Sequence, residues 1–567
     1  MGTPDRPYSS LDCLRKLTLR VCFALFMSLL LASAVNAAVS DSGFFSDSRS
    51  DNDNLAQFNG WIIDTVIIDN RNIYDTNTRE YDKFLFRFIN SVHIKTRARI
   101  VAQENLLRIG GPFSALLAEE TARNLRLRLT LYDSWVQVEP VGDHRVSVRI
   151  VTIDQWSLAA GLDIGRDGNE ERYNLGVTER NVLGLGQYFS FDYTFQSIED
   201  DILLLTYTEP RILGKKLYGS VNYFDGPGAT GELVTIGRPY YDRLQSTAYD
   251  LTLRFAKGRR DIYEDTVRVA RSNYDGETVT ASTTYRWGGY HKKWQTEFIY
   301  QYRFERTDRK ETIFEPSGPL QFPDDSLAHD LGLSVGWSDV DFIKTRRVDG
   351  FGYTEDFVLG FGSAAQFNRA FAPSFDQYVY DQALFDVNYA FHWGRSLVLN
   401  HYQRSYWYRG SSEFRTSAEW VSRIYNRLTS YLTIVGRLRY LSDWRSDASN
   451  NLVLGGETGV RGLNAYTRTG DRLVTATLES RLFSGIELLS IGIGAAAFVD
   501  AGRVWKARAP VHFRDFLFAG GIGLRLEAAR SSRTRLIRID LAYSDQTGWQ
   551  LSLGTGQYFP ASNLSFP

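Results

Sequence analysis

The sequence predicts an all-β transmembrane barrel of about 16 antiparallel strands, preceded by one small α+β domain. Three observations predict this fold class. The chain opens with a segment typical of a secretory leader. The long region after residue 156 consists of strands in which apolar and polar residues alternate. Aromatic residues make up 14% of the chain, yet no apolar run after the leader reaches the roughly 20 residues of a helical membrane span.

The first 37 residues have the three parts of a secretory signal peptide. A basic segment precedes an apolar run from Val21 to Leu31, and Val35-Asn36-Ala37 places small residues for cleavage after Ala37. The apolar run is too short to favour the alternative, a retained membrane anchor. Cleavage would remove both cysteines, Cys13 and Cys22. A mature chain without thiols excludes disulfides, cysteine-ligated metals and a cysteine nucleophile.

Charge excludes a further class of function. Removing the leader leaves 65 − 4 = 61 basic and 66 − 2 = 64 acidic residues, a net charge of −3. Without a basic excess, we expect no nucleic-acid partner. An exported chain of this length is then either a soluble periplasmic protein or a membrane barrel.

The stretch from Lys293 to Glu305 illustrates the alternation. Trp294, Phe298 and Tyr302 share one face of the strand, and the opposite face carries polar residues such as Gln295, Glu297 and Gln301. A soluble sandwich would turn the apolar face inward, whereas a membrane barrel turns it towards lipid. Similar strands recur at Leu473–Phe483, Leu536–Ser544 and Trp549–Phe559. We therefore place the barrel at residues 156–559, where roughly 25 residues per strand and connection accommodate about 16 strands, followed by a tail at 560–567.

The region before the barrel has a different pattern. Residues 38–57 are polar and acidic, which predicts a disordered leader. Residues 58–155 predict a β-α-α-β-β domain, with elements at Trp61–Ile68, Arg99–Arg108, Ala115–Leu127, Ser134–Val138 and His144–Thr152.

Sequence patterns typical of enzymes carry little weight in this chain. Gly332-Leu333-Ser334-Val335-Gly336 matches a hydrolase nucleophile pattern, but the neighbouring alternation places it inside a strand instead of a strand-to-helix turn. The seven histidines lack metal-ligand spacing. We expect no enzymatic activity, no metal site and no cofactor.

Two segments near the end of the chain carry a family resemblance. Gly455-Gly456-Glu457-Thr458-Gly459-Val460-Arg461-Gly462-Leu463 is followed downstream by Phe498-Val499-Asp500-Ala501-Gly502. This pair resembles the signature of the BamA/TamA-type outer-membrane assembly superfamily, also called the bacterial surface antigen family. In that family the first segment is a loop folded back into the barrel, and the second is a wall strand beneath it.

The same resemblance extends to the region before this pair. The small domain resembles a single POTRA module, through Val92-His93-Ile94-Lys95-Thr96-Arg97 and Glu119-Glu120-Thr121-Ala122-Arg123-Asn124-Leu125-Arg126. Glu179-Arg180-Asn181-Val182-Leu183-Gly184-Leu185-Gly186 resembles the family's opening barrel hairpin. The resemblance implies a bacterial outer-membrane protein whose POTRA-like domain lies in the periplasm.

The alternation suggests partners for the arginine of the loop motif. Glu479 lies on the polar face of its strand, and Phe498 and Asp500 share a face with two glycines, Gly492 and Gly494, that leave space beside the wall. Arg461 would meet both carboxylates in a partly wet lumen, with Phe498 beneath its guanidinium. The chain departs from the family at Leu463, where an aromatic is usual. The predicted site comprises the loop residues Gly459, Val460, Arg461, Gly462 and Leu463, with the partners Glu479, Phe498, Asp500 and Gly502.

The last predicted strand is a candidate seam strand. Trp549, Leu551 and Leu553 alternate outward, Gly554 and Gly556 weaken the strand, and Phe559 ends it. Small residues fitting a crowded wall would be a simpler explanation of the two glycines.

Family members are thought to open such a seam so that client strands pair with it, which implies an outer-membrane insertion or translocation factor. The alternatives are a two-partner-secretion-type transporter, and a passive pore or structural surface antigen. The expected partners are outer-membrane lipids, unfolded client proteins and accessory periplasmic proteins.

Overall fold

A computed structural model gives the fold of this chain. It describes residues 55–561, apart from residues 129–130, 168–169, 197–200, 227, 265–266, 314–325, 374–377, 446–451, 457, 465–466, 489, 507–508, 511, 529 and 532–535. The predicted signal peptide, nearly all of the acidic leader and most of the 560–567 tail lie outside the described residues.

The N-terminal domain packs helices on a three-stranded sheet. Its elements are β1 Ile62–Arg71, α1 Phe84–Val92, α2 Ala98–Gln103, α3 Ala115–Arg128, β2 Leu131–Gly142 and β3 Arg145–Asp154. The strand order is β1-β3-β2, with β1 parallel and β2 antiparallel to β3. The domain has its own apolar core, which joins the sheet to α2 and α3 through residues such as Ile63, Val101, Leu125 and Val148.

Two details of this domain differ from the sequence expectation. Helix α1 was not expected, and it buries Phe86 against Ile73 and Tyr74. The helix expected to reach Arg108 ends at Gln103. The side chain of Asn105 binds both the backbone N–H and the carbonyl of Leu107, which satisfies these groups locally and ends the helix.

The remainder of the described chain forms one antiparallel wall. Its strands are β4 Leu158–Asp167, β5 Glu170–Val182, β6 Gln187–Gln196, β7 Ile202–Glu209, β8 Tyr218–Gly226, β9 Ala229–Arg238, β10 Thr247–Glu264, β11 Val267–Gly288, β12 Lys292–Thr312, β13 Ser326–Thr345, β14 Glu355–Phe371, β15 Tyr378–Trp393, β16 Ser396–Arg409, β17 Ser412–Arg427 and β18 Leu432–Arg445. A short hairpin, β19 Leu452–Leu454 and β20 Arg468–Gly470, interrupts the wall. The wall then resumes with β21 Arg472–Leu488, β22 Ile491–Trp505, β23 Leu517–Ala528, β24 Leu536–Ser544 and β25 Gly548–Thr555.

The wall contains 20 strands among the described residues, so the expected number of about 16 is wrong. The error lies in the assumed connections. On the side of the N-terminal domain many turns are very short, such as the two residues Gly394 and Arg395 between β15 and β16. Glu179 to Gly186, which resembles the family's opening hairpin, comprises the end of β5 and the turn to β6, and the wall begins one strand earlier, at β4.

The two faces of the wall differ in chemistry. Side chains on the outer face are apolar and exposed, including Trp294, Phe298, Leu333, Val335, Phe367 and Phe385. Side chains of the opposite parity are polar and buried, including Asp330, Ser334, Asn388, Ser405, Thr475 and Thr477. Ser334, from the hydrolase-like pattern, lies in the middle of β13. This arrangement is the inverse of a soluble sandwich.

The first and last strands of the wall are neighbours in the strand order. Every other adjacent pair has a register of at least seven residue pairs, with a shift in some of them, as between β21 and β22. Between β24 and β25, eight residue pairs run from Ile537–Thr555 to Ser544–Gly548. β4 and β25 adjoin over a shorter stretch than any other adjacent pair of described strands. Among the described helices, none has the length and apolar character needed to cross a membrane.

Candidate functional site

The loop between β18 and β21 folds into the lumen, and we call residues 452–470 the latch loop. Val460 and Leu463 are buried in an apolar cluster with Leu454, Leu473 and Val504. Leu463, at which the sequence departs from the motif it resembles, packs as an aliphatic core residue. Gly462 has a φ of +83°, and its carbonyl accepts a hydrogen bond from Ser544 on β24. A residue with a Cβ would be strained there and would press on Ala542 at 2.9 Å.

The guanidinium of Arg461 is held by two wall carboxylates. Nε donates to Asp500 Oδ2 at 2.8 Å, Nη2 donates to Asp500 Oδ1 at 3.1 Å, and Nη1 donates to Glu479 Oε2 at 2.5 Å. The backbone N–H of Arg461 also donates to Asp500, at 3.1 Å. The Phe498 ring lies beneath the guanidinium, with its centroid 3.4 Å from Cζ. The structure thus brings together Arg461, Glu479, Phe498 and Asp500, the four residues that the loop motif and the strand alternation predicted to meet.

The site is drier than expected. Arg461 is 2% exposed, and Glu479 and Asp500 are fully buried, so the lumen around them is not partly wet. Burial opposes the charged form of Arg461, but Asp500 and Glu479 outweigh it and raise the pKa of Arg461 above its usual value. Its charge is therefore permanent under all physiological conditions.

The pair belongs to a larger charge network. Arg481 donates to Glu479 at 2.8 Å, and Arg525 donates to Asp540 at 2.6 Å. The Nε of Arg538 lies 3.1 Å from Asp540 Oδ2. Asp349 pairs with Arg481 at 2.8 Å. The network thus contains four guanidinium groups and four carboxylates, whose formal charges cancel. Beyond Arg461, Glu479 and Asp500, the members of the network are Arg481, Arg525, Arg538, Asp349 and Asp540.

Glycines of the wall make room for this packing. A Cβ at Gly502 would lie 2.6 Å from Val460 of the latch loop, and a Cβ at Gly521 would lie 2.6 Å from the Phe498 ring. A Cβ at Gly494 or Gly492 would likewise press on the Phe351 ring, at 2.6 and 3.0 Å. The space expected beside the wall therefore exists, and side chains fill it.

The residues that follow β25 also enter the lumen, and from here on the tail means residues 556–561. The predicted strand Trp549–Phe559 is wrong in its end: β25 stops at Thr555, and Gly556 turns the chain with a φ of +73°. Tyr558 donates to the carbonyl of Gly456 in the latch loop, and its ring centroid lies 4.6 Å from Cζ of Arg461. Phe559 is buried, and its carbonyl accepts a hydrogen bond from Arg481 at 2.9 Å. Phe559 is thus a lumenal residue and does not belong to the seam strand.

A third segment also lies in the barrel lumen. It is the turn at residues 346–354 between β13 and β14, which we call the inward turn. Its Asp349 carbonyl accepts a hydrogen bond from Gln557 of the tail at 2.9 Å. Its Phe351 ring packs edge-on against Phe483 of β21, 5.1 Å between centroids. Burial raises the pKa of Asp349 above its usual value, and Arg481 partly offsets this effect. The latch loop, the tail and the inward turn thus meet around one charge network.

The remaining predicted seam residues lie where the alternation placed them. Trp549 and Leu551 are about two-thirds exposed on the outer face, at 67% and 66%, and Leu553 is also exposed. Gly554 faces the opposite side, where a Cβ would lie 2.6 Å from the Arg538 guanidinium. The glycine therefore leaves room for a member of the charge network directly behind the last strand.

The N-terminal domain covers the mouth of the barrel on the side of its short turns. Arg126 of α3 makes a two-point ion pair with Asp356 of β14, at 2.7 and 2.5 Å, and both side chains are buried. Glu104 pairs with Arg211, between β7 and β8, at 2.6 Å. Asp356 and the other carboxylates outweigh burial and raise the pKa of Arg126.

Several members of this site were not found from sequence. Asp540 and Arg525 could have been predicted from sequence. The alternation of β23 and β24 places both charged side chains on the lumenal face, where each requires a partner of opposite charge. Tyr558 and Arg126 could not be predicted, because their roles depend on contacts between distant segments. Within the described residues, no cluster of three or more histidine, cysteine or carboxylate side chains is placed to hold a metal ion.

Comparisons with known proteins give similarity at the level of structure only. No protein-family model matches the sequence, and no curated protein matches it. BamA from Haemophilus ducreyi lacking POTRA domains 1–3 is 13% identical, with 87% of this chain and 84% of that chain covered and a TM-score of 0.34. CdiB from Acinetobacter baumannii is 10% identical, with 88% and 74% covered and a TM-score of 0.42. CdiB from Escherichia coli is 14% identical, with 87% and 75% covered and a TM-score of 0.40. At this level of similarity, function must be argued from the site itself.

Proposed function

We propose that this protein is an outer-membrane insertion or translocation factor that receives unfolded client proteins at the seam between β4 and β25. The N-terminal domain, a single POTRA-like module in this proposal, faces the periplasm. Clients would pair their strands with the exposed edge of β25 or β4 by β-augmentation.

The outer face of the wall supports a membrane location. Exposed aromatic and aliphatic side chains follow one another from strand to strand, as at Trp294 on β12, Trp337 on β13 and Phe361 on β14. Soluble proteins rarely expose an apolar patch larger than a few hundred Å². In a bilayer the same surface is buried against lipid tails.

The filled lumen argues against a passive pore. The latch loop, the tail and the inward turn occupy the barrel interior, and Arg461, Glu479 and Asp500 are all at most 2% exposed. The N-terminal domain closes the mouth as well, with Arg126 and Asp356 both buried. A permanently open channel would need water where these groups now contact one another.

The weak seam is the observation that carries the proposal. Adjacent strands elsewhere pair along their length, for example over 19 residue pairs between β11 and β12. Each backbone group left unpaired in lipid costs several kcal/mol, so such pairs do not separate. β4 and β25 adjoin over a shorter stretch than any other adjacent pair of described strands, and β25 has only eight residues. It is the place in the wall where separation requires the fewest hydrogen bonds to break.

The tail links this seam to the charge network. Tyr558 lies three residues beyond the end of β25 and contacts both the latch loop and Arg461. Moving β25 outward would pull Tyr558 and Phe559 away from the guanidinium. The network therefore holds the last strand in its resting position, and release of the tail accompanies opening.

Site-specific photo-crosslinking in cells tests the proposal. A benzoylphenylalanine at Leu551 or Leu553 is expected to crosslink to newly exported barrel proteins, identified by mass spectrometry. The matched controls are Leu333 and Val335, which are outward and exposed on β13, far from the seam. Equal crosslinking at both positions would contradict a role for the seam. Client crosslinks only at lumenal positions such as Thr477 would favour passage through the barrel, as in two-partner secretion.

A further inference from the structure

One row of paired residues on the outer face carries two arginines. Arg404 of β16 pairs with Ala418 of β17, Ala418 with Ser442 of β18, and Ser442 with Arg472 of β21. The two arginines therefore stand on one line across four strands, about 14 Å apart at three strand spacings. Two small side chains separate them.

This row forms a shallow cleft of about 580 Å³. Ala418 and Ser442 form its floor. The next rows on either side carry aromatic residues, with Tyr402, Trp420 and Tyr440 on one side and Tyr406 and Trp444 on the other. Tyr and Trp side chains are favoured where an apolar membrane interior meets the headgroups.

No salt bridge joins Arg404 or Arg472 to a carboxylate among the described residues, and Arg404 is hydrogen-bonded to Tyr402. Arg369, which is also outward and exposed, makes a two-point pair with Asp381 at 2.8 and 3.0 Å. The guanidinium of Arg404 instead lies over the Tyr406 ring at 4.8 Å, and its Nε is buried without a hydrogen-bond partner. Glu413 also lines the cleft, so two positive groups face one negative group there.

The cleft lies towards the end of the barrel opposite the N-terminal domain. Arg472 is the first residue of β21 after the latch loop, and Trp444 is the penultimate residue of β18 before it. With the N-terminal domain in the periplasm, these positions lie in the outer leaflet. This placement rests on the proposed membrane location.

We propose that the cleft binds the headgroup of an outer-leaflet glycolipid that carries two phosphates. Arg404 and Arg472 would each receive one phosphate, the aromatic rows would flank the sugar, and the acyl chains would lie along the apolar wall. An arginine matches the geometry of a phosphate and forms charged hydrogen bonds, which are stronger than neutral ones. Two cations that lack a salt bridge at a lipid-facing surface are unfavourable unless an anion is present to balance them.

Lipid binding to the purified protein in detergent tests this proposal. The probes are bis-phosphorylated lipid A, the same lipid with both phosphates removed, and inorganic phosphate, and native mass spectrometry measures the bound fraction. We expect binding of the first probe only. Arg404→Gln and Arg472→Gln should each weaken it about tenfold, the loss of one charged hydrogen bond, and the double variant more. Glu413→Gln should strengthen it.

The controls separate the possible failures. Arg369→Gln, an outward variant outside the cleft, should bind like the parent, and heat-modifiable mobility on gels reports whether each variant is folded. Equal binding by the double variant would overturn the proposal, as would equal binding of the dephosphorylated lipid. Binding of inorganic phosphate at the same concentration would identify a free-anion site instead. Because this assay involves no client protein, its result is independent of whether the seam receives clients.

Discussion

At the scale of single residues, the account depends on Arg461. Strand alternation was sufficient to predict that Glu479 and Asp500 lie on the lumenal face, since the side-chain period of a strand is two. The motif supplied the loop that reaches them. The burial of the site could not be predicted, because it arises from the tail and the inward turn, whose paths depend on contacts between segments distant in sequence.

Arg461→Ala is expected to release the latch loop. It removes one guanidinium from a buried neutral network and leaves Glu479 and Asp500 without their shared partner. Breaking a buried pair from one side costs about 3–5 kcal/mol. We expect faster cleavage of the loop by proteinase K and a lower yield of heat-modifiable barrel, whereas Arg369→Ala, in an exposed pair, should change neither.

Arg461→Lys tests whether the positive charge alone is sufficient to hold the latch loop, without the planar guanidinium. The ammonium keeps the positive charge but cannot contact both oxygens of Asp500 and the Glu479 carboxylate together. Its latch loop should be cleaved at a rate between those of the parent and Arg461→Ala.

The double variant Asp500→Ala, Arg461→Ala should lose less free energy of unfolding than the two single variants together, because the two side chains touch. Strictly additive effects on the free energy of unfolding would contradict the contact.

At the scale of elements, the sequence pattern predicts the wrong structure for the tail. Trp549 to Phe559 alternates convincingly, but alternation does not show where a strand leaves the sheet. Gly556 turns the chain, and Phe559 then points into the lumen instead of towards lipid. The number of strands was underestimated for a related reason, because periodicity does not show how short the connections are.

Tyr558→Ala should loosen the end of the chain without unfolding the barrel. The substitution removes the hydrogen bond to Gly456 and one ring that faces Arg461, but it leaves all carboxylate partners in place. Hydrogen–deuterium exchange of residues 548–561 should rise clearly above that of the parent. Tyr389→Ala, an exposed outward position on β15, serves as the control. Unchanged exchange at β25 would show that the tail does not hold the last strand.

At the scale of the whole molecule, the account requires a wall between lipid and lumen. The only two cysteines of the sequence, Cys13 and Cys22, lie in the predicted signal peptide, and replacing both with serine makes single-cysteine labelling unambiguous. Cysteines at Gln295, Glu297 and Gln301 should react with a small water-soluble maleimide in membranes much faster than those at Trp294, Phe298 and Tyr302. Equal rates for the two sets would contradict the membrane-facing assignment.

The broad architecture could be predicted from sequence, whereas the docking of its parts could not. The alternation predicted an antiparallel wall with a small α+β domain before it. The buried pair Arg126–Asp356 joins residues 230 positions apart, and nothing in either local sequence indicates its partner. The closed mouth is therefore a property of the folded chain alone.

The central claim, that function requires the seam to open, is tested most directly by locking it. A cysteine pair between Leu158–Gly161 of β4 and Ser552–Thr555 of β25 is oxidised in protein reconstituted into liposomes. Folding of a urea-denatured outer-membrane barrel protein is then measured by its heat-modifiable mobility. A control disulfide joins Leu333 and Phe367, a pair already adjacent in β13 and β14. The account predicts that the seam disulfide abolishes assisted folding, that a reductant restores it, and that the control disulfide has no effect. Full activity of the oxidised seam variant would contradict the account.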